Sequence, residues 1–278
     1  MSKSFLYLVF GVALIFAACD NAQSGQKSEE PMATHAGDPA FRDAHEKPDS
    51  IAFEGRGEWV EFPTPDGKTG RAYVVKPPTP TREYLFVIHE WWGLNDHIRR
   101  ETERLFDSLG QVTCMALDLY DGQVTDDPDE AGKIMSGVKQ ARAEAIIKGA
   151  LALAGDSARV ATVGWCFGGG WSLRASILAA DRGAGCVMYY GMPVETAAEL
   201  APLKADILGI FGTKDDWINK KVIGKFEALT KATGKHFESH WFEAAHAFAN
   251  PTSPRYNERA AQEANALALA FLREKPGR

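Results

Sequence analysis

The chain predicts an α/β fold with a mostly parallel central sheet and helices on both faces. Three observations carry that expectation. Short apolar runs of strand length alternate with helical patterns from about residue 59 onward, the signature of β-α-β units covered on both faces. One run, Arg159 to Val163, passes through Gly164-Trp165-Cys166-Phe167-Gly168-Gly169-Gly170 into a helix with Leu173 and Ile177 one turn apart. That is the strand-nucleophile-helix elbow, with Cys where Ser is usual. An Asp and then a His follow later in the chain, each just past a further apolar run.

Taken in order, Trp59 to Phe62 and Arg71 to Val75 flank the turn-forming Thr64-Pro65-Asp66-Gly67-Lys68, so an antiparallel hairpin opens the domain. Tyr84 to Ile88 is a buried strand ending at His89-Glu90-Trp91-Trp92-Gly93. Asn95 or Asp96 caps a helix whose inner stripe is Ile98, Thr102, Leu105 and Leu109, closed by Gly110. Val112 to Leu117 is a strand and Val138 to Ala154 an Ala-rich helix. Beyond the elbow, Cys186 to Tyr190, Ile207 to Phe211 and His236 to Phe242 are strands. Lys220 to Thr233 and a final stripe of Ala260, Ala264, Leu267 and Phe271 are helices. Right-handed crossovers place the functional loops at the C-terminal ends of the strands.

The N-terminal part reads differently. Residues 1–18 hold Lys3 and then an apolar run from Phe5 to Ala18, a secretory signal too short for a comfortable membrane span. Phe16-Ala17-Ala18-Cys19 resembles a bacterial lipoprotein box, which implies cleavage before Cys19, its lipidation, and a location on the periplasmic side of the membrane; simple secretion to the periplasm is the alternative. Residues 19–50 are polar and poor in branched apolar side chains. They are expected to form a disordered tether reaching roughly 30 Å, with His35 and His45 solvated. Residues 51–278 suffice for one large domain. The net charge of −6 argues against a nucleic-acid partner.

The glycines of the elbow have a mechanical reason, because a β-carbon at Gly164 or Gly168 would clash with the tight turn. The turn aims the first N–H groups of the helix at the sulfur and favours a thiolate. Neither a Lys-Ser nor a Lys-Thr pair follows, so a phosphate loop is excluded, and Leu173 occupies the last glycine position of a dinucleotide motif. With Cys19 set aside, Cys114, Cys166 and Cys186 are an odd set that cannot all pair; Cys114 and Cys186 lie in strand runs as core residues. An elbow enzyme requires its acid and then its histidine downstream. Thr213-Lys214-Asp215-Asp216 and Glu243-Ala244-Ala245-His246 supply both, with Asp215 preferred to Asp216. His236 and His240 are about 13 Å apart on a strand and cannot share a metal. Gly93 stands where a zinc-protease motif needs its second His. No metal site and no cofactor are expected.

The matching stretches, His89-Glu90-Trp91-Trp92-Gly93, Asp118-Leu119-Tyr120, Gly164-Trp165-Cys166-Phe167-Gly168-Gly169, Tyr189-Tyr190-Gly191, Gly212-Thr213-Lys214-Asp215 and His246-Ala247-Phe248, resemble the dienelactone hydrolase family of the α/β-hydrolase fold. The likeness covers nearly all of residues 51–275. It implies Cys166 as nucleophile, His246 as base, Asp215 as its orienter, and Glu90 in contact with the resting thiol, helping to deprotonate it. It also implies oxyanion donors at the backbone N–H groups of Trp91 and Phe167. Trp92, Tyr120, Trp165 and Trp217 crowd the same loops as candidate pocket residues. The two arginines with which the family's dienelactone enzymes hold a substrate carboxylate are missing: Asn250 stands at one position, and Asp121 to Gln140 contains no Arg. An uncharged ester, lactone or thioester is the expected substrate. The alternatives are a broad carboxylesterase or thioesterase, and a non-catalytic lipid-anchored binding protein with a redox-sensitive thiol.

Overall fold

A computed structural model describes residues 1, 32–43 and 45–275. Residues 2–18 of the expected signal, the expected lipidation site Cys19 and residues 20–31 lie outside the described residues. Two short helices come first, α1 (Ala33–Ala36) and α2 (Pro39–Asp43). The predicted hairpin follows as β1 (Glu58–Pro63) and β2 (Thr69–Val75), paired antiparallel. Then come β3 (Glu83–Ile88), α3 (Asp96–Leu109), β4 (Thr113–Leu117), α4 (Pro128–Gly137) and α5 (Gln140–Ala154). The elbow joins β5 (Arg159–Trp165) to α6 (Phe167–Ala179), followed by β6 (Gly183–Tyr189), α7 (Ala197–Leu200), β7 (Ile207–Gly212), α8 (Lys220–Ala232), β8 (Phe237–Phe242) and α9 (Glu258–Glu274).

The strands form one sheet in the order β1-β2-β4-β3-β5-β6-β7-β8, antiparallel through β2–β4 and parallel from β4 to β8. This is the predicted α/β-hydrolase architecture. Central strands such as β4, β5 and β7 are buried along nearly their whole length, which explains why they read as continuous apolar runs rather than alternating ones. Helix α3 starts where expected: Asn95 Oδ1 accepts from the Ile98 N–H at 3.2 Å, and Ile98, Thr102 and Leu105 face inward.

Two differences from the sequence reading stand out. Helix α4 lies in the acidic stretch for which the sequence reading named no element. Its start carries the local signals, since Asp127 caps the Glu130 N–H at 2.9 Å and Pro128 occupies the first turn, and Ala131 and Met135 are buried beneath it. The second difference is larger. The tether expected to be disordered through Ser50 is ordered and docked over residues 32–43 and 45–50. Met32 and Phe41 are fully buried, α1 and α2 pack against α4, and the Asp49 N–H donates to the Thr252 carbonyl at 2.8 Å. The segment has too few apolar side chains to make a core of its own, but it gains one by borrowing the surface of the domain.

Candidate active site

The elbow has the mechanics the glycines demand. Cys166 sits at φ 55° and ψ −119°, a left-handed conformation that costs a non-glycine residue roughly 1–3 kcal/mol and persists only where its surroundings hold it. A β-carbon at Gly164 would run into the Gly168 carbonyl, and one at Gly168 into the carbonyls of Ile88 and His89. Strand β5 and helix α6 therefore approach each other, and β3 lies beside them, as only glycine permits. The sulfur leaves the C-terminal end of the sheet with the Phe167 N–H hydrogen-bonded to it.

Asp215 lies just past β7 and His246 just past β8. Asp215 is buried, and its two oxygens divide their work. Oδ1 accepts from the Trp217 and Ile218 N–H groups at 3.0 and 2.9 Å, and Oδ2 meets His246 Nδ1 at 2.6 Å. Asp216 is exposed, so the geometry selects Asp215. With Nδ1–H directed at the carboxylate, Nε2 of His246 is the nitrogen that exchanges a proton with the sulfur. It is buried with no hydrogen-bond partner among the described residues, beside the Cys166 thiol, which acts on its charge. Burial alone would lower the His246 pKa, but Asp215 and a charged Cys166 outweigh it and raise it to about 10, so a proton passed from the thiol is held firmly on the imidazole. Burial pushes the Cys166 thiol up, more than His246 and the Phe167 N–H pull it down. The resting nucleophile is thus a desolvated thiol waiting for a base.

Glu90 follows β3, the strand beside β5, and lines the same small cavity as Cys166. The resemblance implies contact with the resting thiol; Asn250 Nδ2 donates to Glu90 Oε2 at 2.5 Å, and the Glu90 charge acts on Cys166. Oε1 is buried without a partner among the described residues. Burial raises the Glu90 carboxyl to about 7 against the downward pull of Asn250, so both of its protonation states are accessible near neutrality.

Of the expected pocket residues, Trp92 lines this cavity, beside Trp91, the expected oxyanion donor. Trp217 stands over His246 with ring centroids 6.3 Å apart. Tyr120 and Trp165 do not line it, which corrects their assignment. Tyr120 packs on His89 and Phe167 at 4.6 and 5.0 Å, and Trp165 on Tyr189 at 5.5 Å. Both rings fill the core beneath the site, where an apolar side chain at a strand end is most readily covered.

The sequence reading missed what lies above the sulfur. His45, expected to be solvated, is buried. Its Nδ1 is bonded to the Phe41 carbonyl at 2.6 Å and its Nε2 stands 3.9 Å from Cys166 Sγ. Burial, then the charge of His246, lowers its pKa to about 3, so it is a neutral imidazole. Phe41 meets Trp217 and Trp91 edge-on at 5.1 and 5.7 Å. The cavity left beneath the segment, about 10 Å³, has room for barely one water molecule. His45, Cys166 and His246 bring one ligand atom each to within 4.8 Å of one another, a cluster that no sequence spacing announces because 121 residues separate the first two. One signal was available: Phe41 and His45 stand four apart in an otherwise polar tail, next to Pro39 and the charged Arg42 and Asp43.

A family model described as the dienelactone hydrolase family matches residues 71–275. Protein usf of Aquifex pyrophilus is 28% identical over 230 residues, covering 78% of this chain and 98% of that protein. Carboxymethylenebutenolidase 1 of Cupriavidus pinatubonensis is 27% identical over 227 residues, covering 77% and 95%. Among solved structures, a dienelactone hydrolase-like promiscuous phosphotriesterase from metagenomic libraries superposes with a TM-score of 0.69 at 20% identity, over 80% of this chain and 99% of that one.

Proposed function

The chain belongs to the dienelactone hydrolase family and is a hydrolase of ester or lactone bonds; on that premise we propose a cysteine mechanism through a thioester acyl-enzyme. The observation that carries it is the buried Asp215–His246 hydrogen bond of 2.6 Å, which leaves an unpartnered Nε2 beside Cys166. Nε2 takes the thiol proton as Sγ attacks the carbonyl carbon. The oxyanion accepts from the N–H groups of Phe167 and Trp91, each contributing about 3 kcal/mol. The bond to the leaving oxygen breaks, and that oxygen takes the proton from His246. Water, deprotonated by Nε2, then attacks the thioester and releases the acid and the thiol. Asp215 holds the tautomer throughout and stabilises the imidazolium. Glu90 assists thiol ionisation by leaving Asn250; burial raises its carboxyl to about 7, so it can take up a proton near neutrality.

An uncharged substrate is supported by the cavity lining. Glu46, Glu90, His45, Trp91 and Trp92 surround the sulfur with no arginine or lysine among the lining residues, and Asn250 is engaged with Glu90. An anionic acyl group would meet carboxylates here. Because the cavity is nearly filled, a substrate enters only when the segment around Phe41 and His45 lifts. The reading extends to location: a lipid anchor at Cys19 holding the domain on the periplasmic side of the membrane, supported by the pattern of residues 1–19 alone. No helix among the described residues is long and apolar enough to cross a membrane.

Rapid mixing with a p-nitrophenyl ester tests the mechanism. A stoichiometric p-nitrophenol burst, coincident with loss of one iodoacetamide-reactive thiol and absent from Cys166→Ala, is the expected result. An undiminished burst in that variant would refute Cys166 as the nucleophile. Hydrolysis of a carboxylated dienelactone far faster than of a neutral aryl ester would refute the uncharged substrate.

A further inference from the structure

The side chains above the sulfur form a converging donor set of a second kind. His45 Nδ1 donates to a backbone carbonyl at 2.6 Å and His246 Nδ1 to a buried carboxylate at 2.6 Å. Each bond holds its ring by Nδ1, so that the neutral ring presents the Nε2 lone pair. A carbonyl or carboxylate accepting the outer N–H is the arrangement that orients histidine ligands around a metal and raises their basicity. His246 Nε2 is buried and unpartnered among the described residues. His45 Nε2 lies 3.9 Å from Sγ. Tetrahedral bonds of ordinary Zn–S and Zn–N length require about 3.6 Å between sulfur and nitrogen, so the pair need close by only a few tenths of an ångström.

We propose that His45, Cys166 and His246 bind one zinc ion, a site assembled jointly by the N-terminal segment and the catalytic loops. One sulfur and two imidazoles suit a borderline-soft cation and disfavour magnesium or calcium, which take oxygen ligands. Binding displaces the thiol proton, and the Nε2 proton of a protonated His246, to solvent and forms one Zn–S and two Zn–N bonds, with no change of oxidation state. One thiolate leaves a net charge of +1 on the ion, which the Glu90 carboxylate in the same cavity offsets. The fourth position is left to water. The metal ties residues 32–50 to the catalytic loops and withdraws both nucleophile and base from chemistry, so zinc-bound protein is closed.

The test is made on the full chain, freed of metal by a chelator, and uses no substrate, so its outcome is separate from that of the hydrolase assignment. Zinc is titrated against a chromophoric chelator, and cobalt(II) is added as a spectroscopic probe. One zinc per chain is expected, together with a cobalt-thiolate charge-transfer band and the visible bands of a tetrahedral ion. His45→Ala and Cys166→Ser should each weaken zinc by at least about 100-fold, since loss of an orienting partner alone costs 10–100-fold, and should abolish the band. Zinc should also protect residues 32–50 from proteolysis in the parent chain and not in His45→Ala. Absence of stoichiometric binding overturns the proposal. So does binding that His45→Ala leaves unchanged, which would place the ion elsewhere. Should His45→Ala not fold, a cobalt-thiolate band that persists in Cys166→Ser overturns it equally.

Discussion

Phe41→Ala should make the metal-free enzyme faster. Phe41 is fully buried, wedged edge-on between Trp91 and Trp217, and tilted against His45 at 4.2 Å. The ion pairs of the segment are weaker ties. Arg42–Asp129 and Lys47–Asp126 are exposed ion pairs, screened by solvent. Truncating a buried Phe removes about 3–5 kcal/mol, and here most of that loss falls on docking of the segment. Observed kcat/KM is the intrinsic value multiplied by the fraction of molecules with an open site. A docking loss of about 3 kcal/mol multiplies that fraction by roughly 100, until the open state predominates. Initial rates on p-nitrophenyl acetate, measured after chelation, report the change, and proteolytic cleavage within residues 32–50 should accelerate in parallel. An unchanged or lowered kcat/KM, in a variant whose circular dichroism and core melting match the parent, would show that the segment does not gate the site.

Three further outcomes follow from the same geometry. Asp215→Asn should keep the fold and lower kcat by about 10³–10⁴-fold through the wrong His246 tautomer, as steady-state kinetics would show; a loss below tenfold would contradict the role of the 2.6 Å contact. Gly168→Ala drives a β-carbon into two backbone carbonyls, and chemical denaturation should show a loss of about 3 kcal/mol or more, or no soluble protein. Burial raises the folded-state pKa of Glu90 from 4.5 to about 7, so between those values the folded chain binds more protons than the unfolded one. The stability contributed by the protonated form is present below pH 4.5 and is lost as pH rises through 7, by up to about 3 kcal/mol. Urea melts at pH 5 and pH 8 should therefore show Glu90→Gln gaining on the parent as pH rises; equal differences at both pH values would remove the buried-acid account.

Much of this molecule could be read from residue order, and the reason is local. Strands buried on both faces declare themselves as apolar runs, and the elbow needs glycines at fixed offsets because backbones there touch. Asp215 and His246 each come just after such a run. The cover was illegible for the opposite reason. Phe41 and His45 are buried by residues far away in the chain, and a segment that folds only against an existing surface looks polar by composition. Tyr120 and Trp165 misled similarly, since an aromatic side chain near a catalytic loop reads alike whether it faces the ligand or the core. Helix α4 was overlooked because its charges masked a sound cap at Asp127 and Pro128.

The sheet order has one last effect. The proposed base follows β8, the outermost strand, most of whose residues are only half-buried, while the nucleophile follows β5 in the interior. Edge elements fray first on warming. Inactivation by heat should therefore run ahead of global melting, with the imidazole drifting from a sulfur whose own scaffold is still intact.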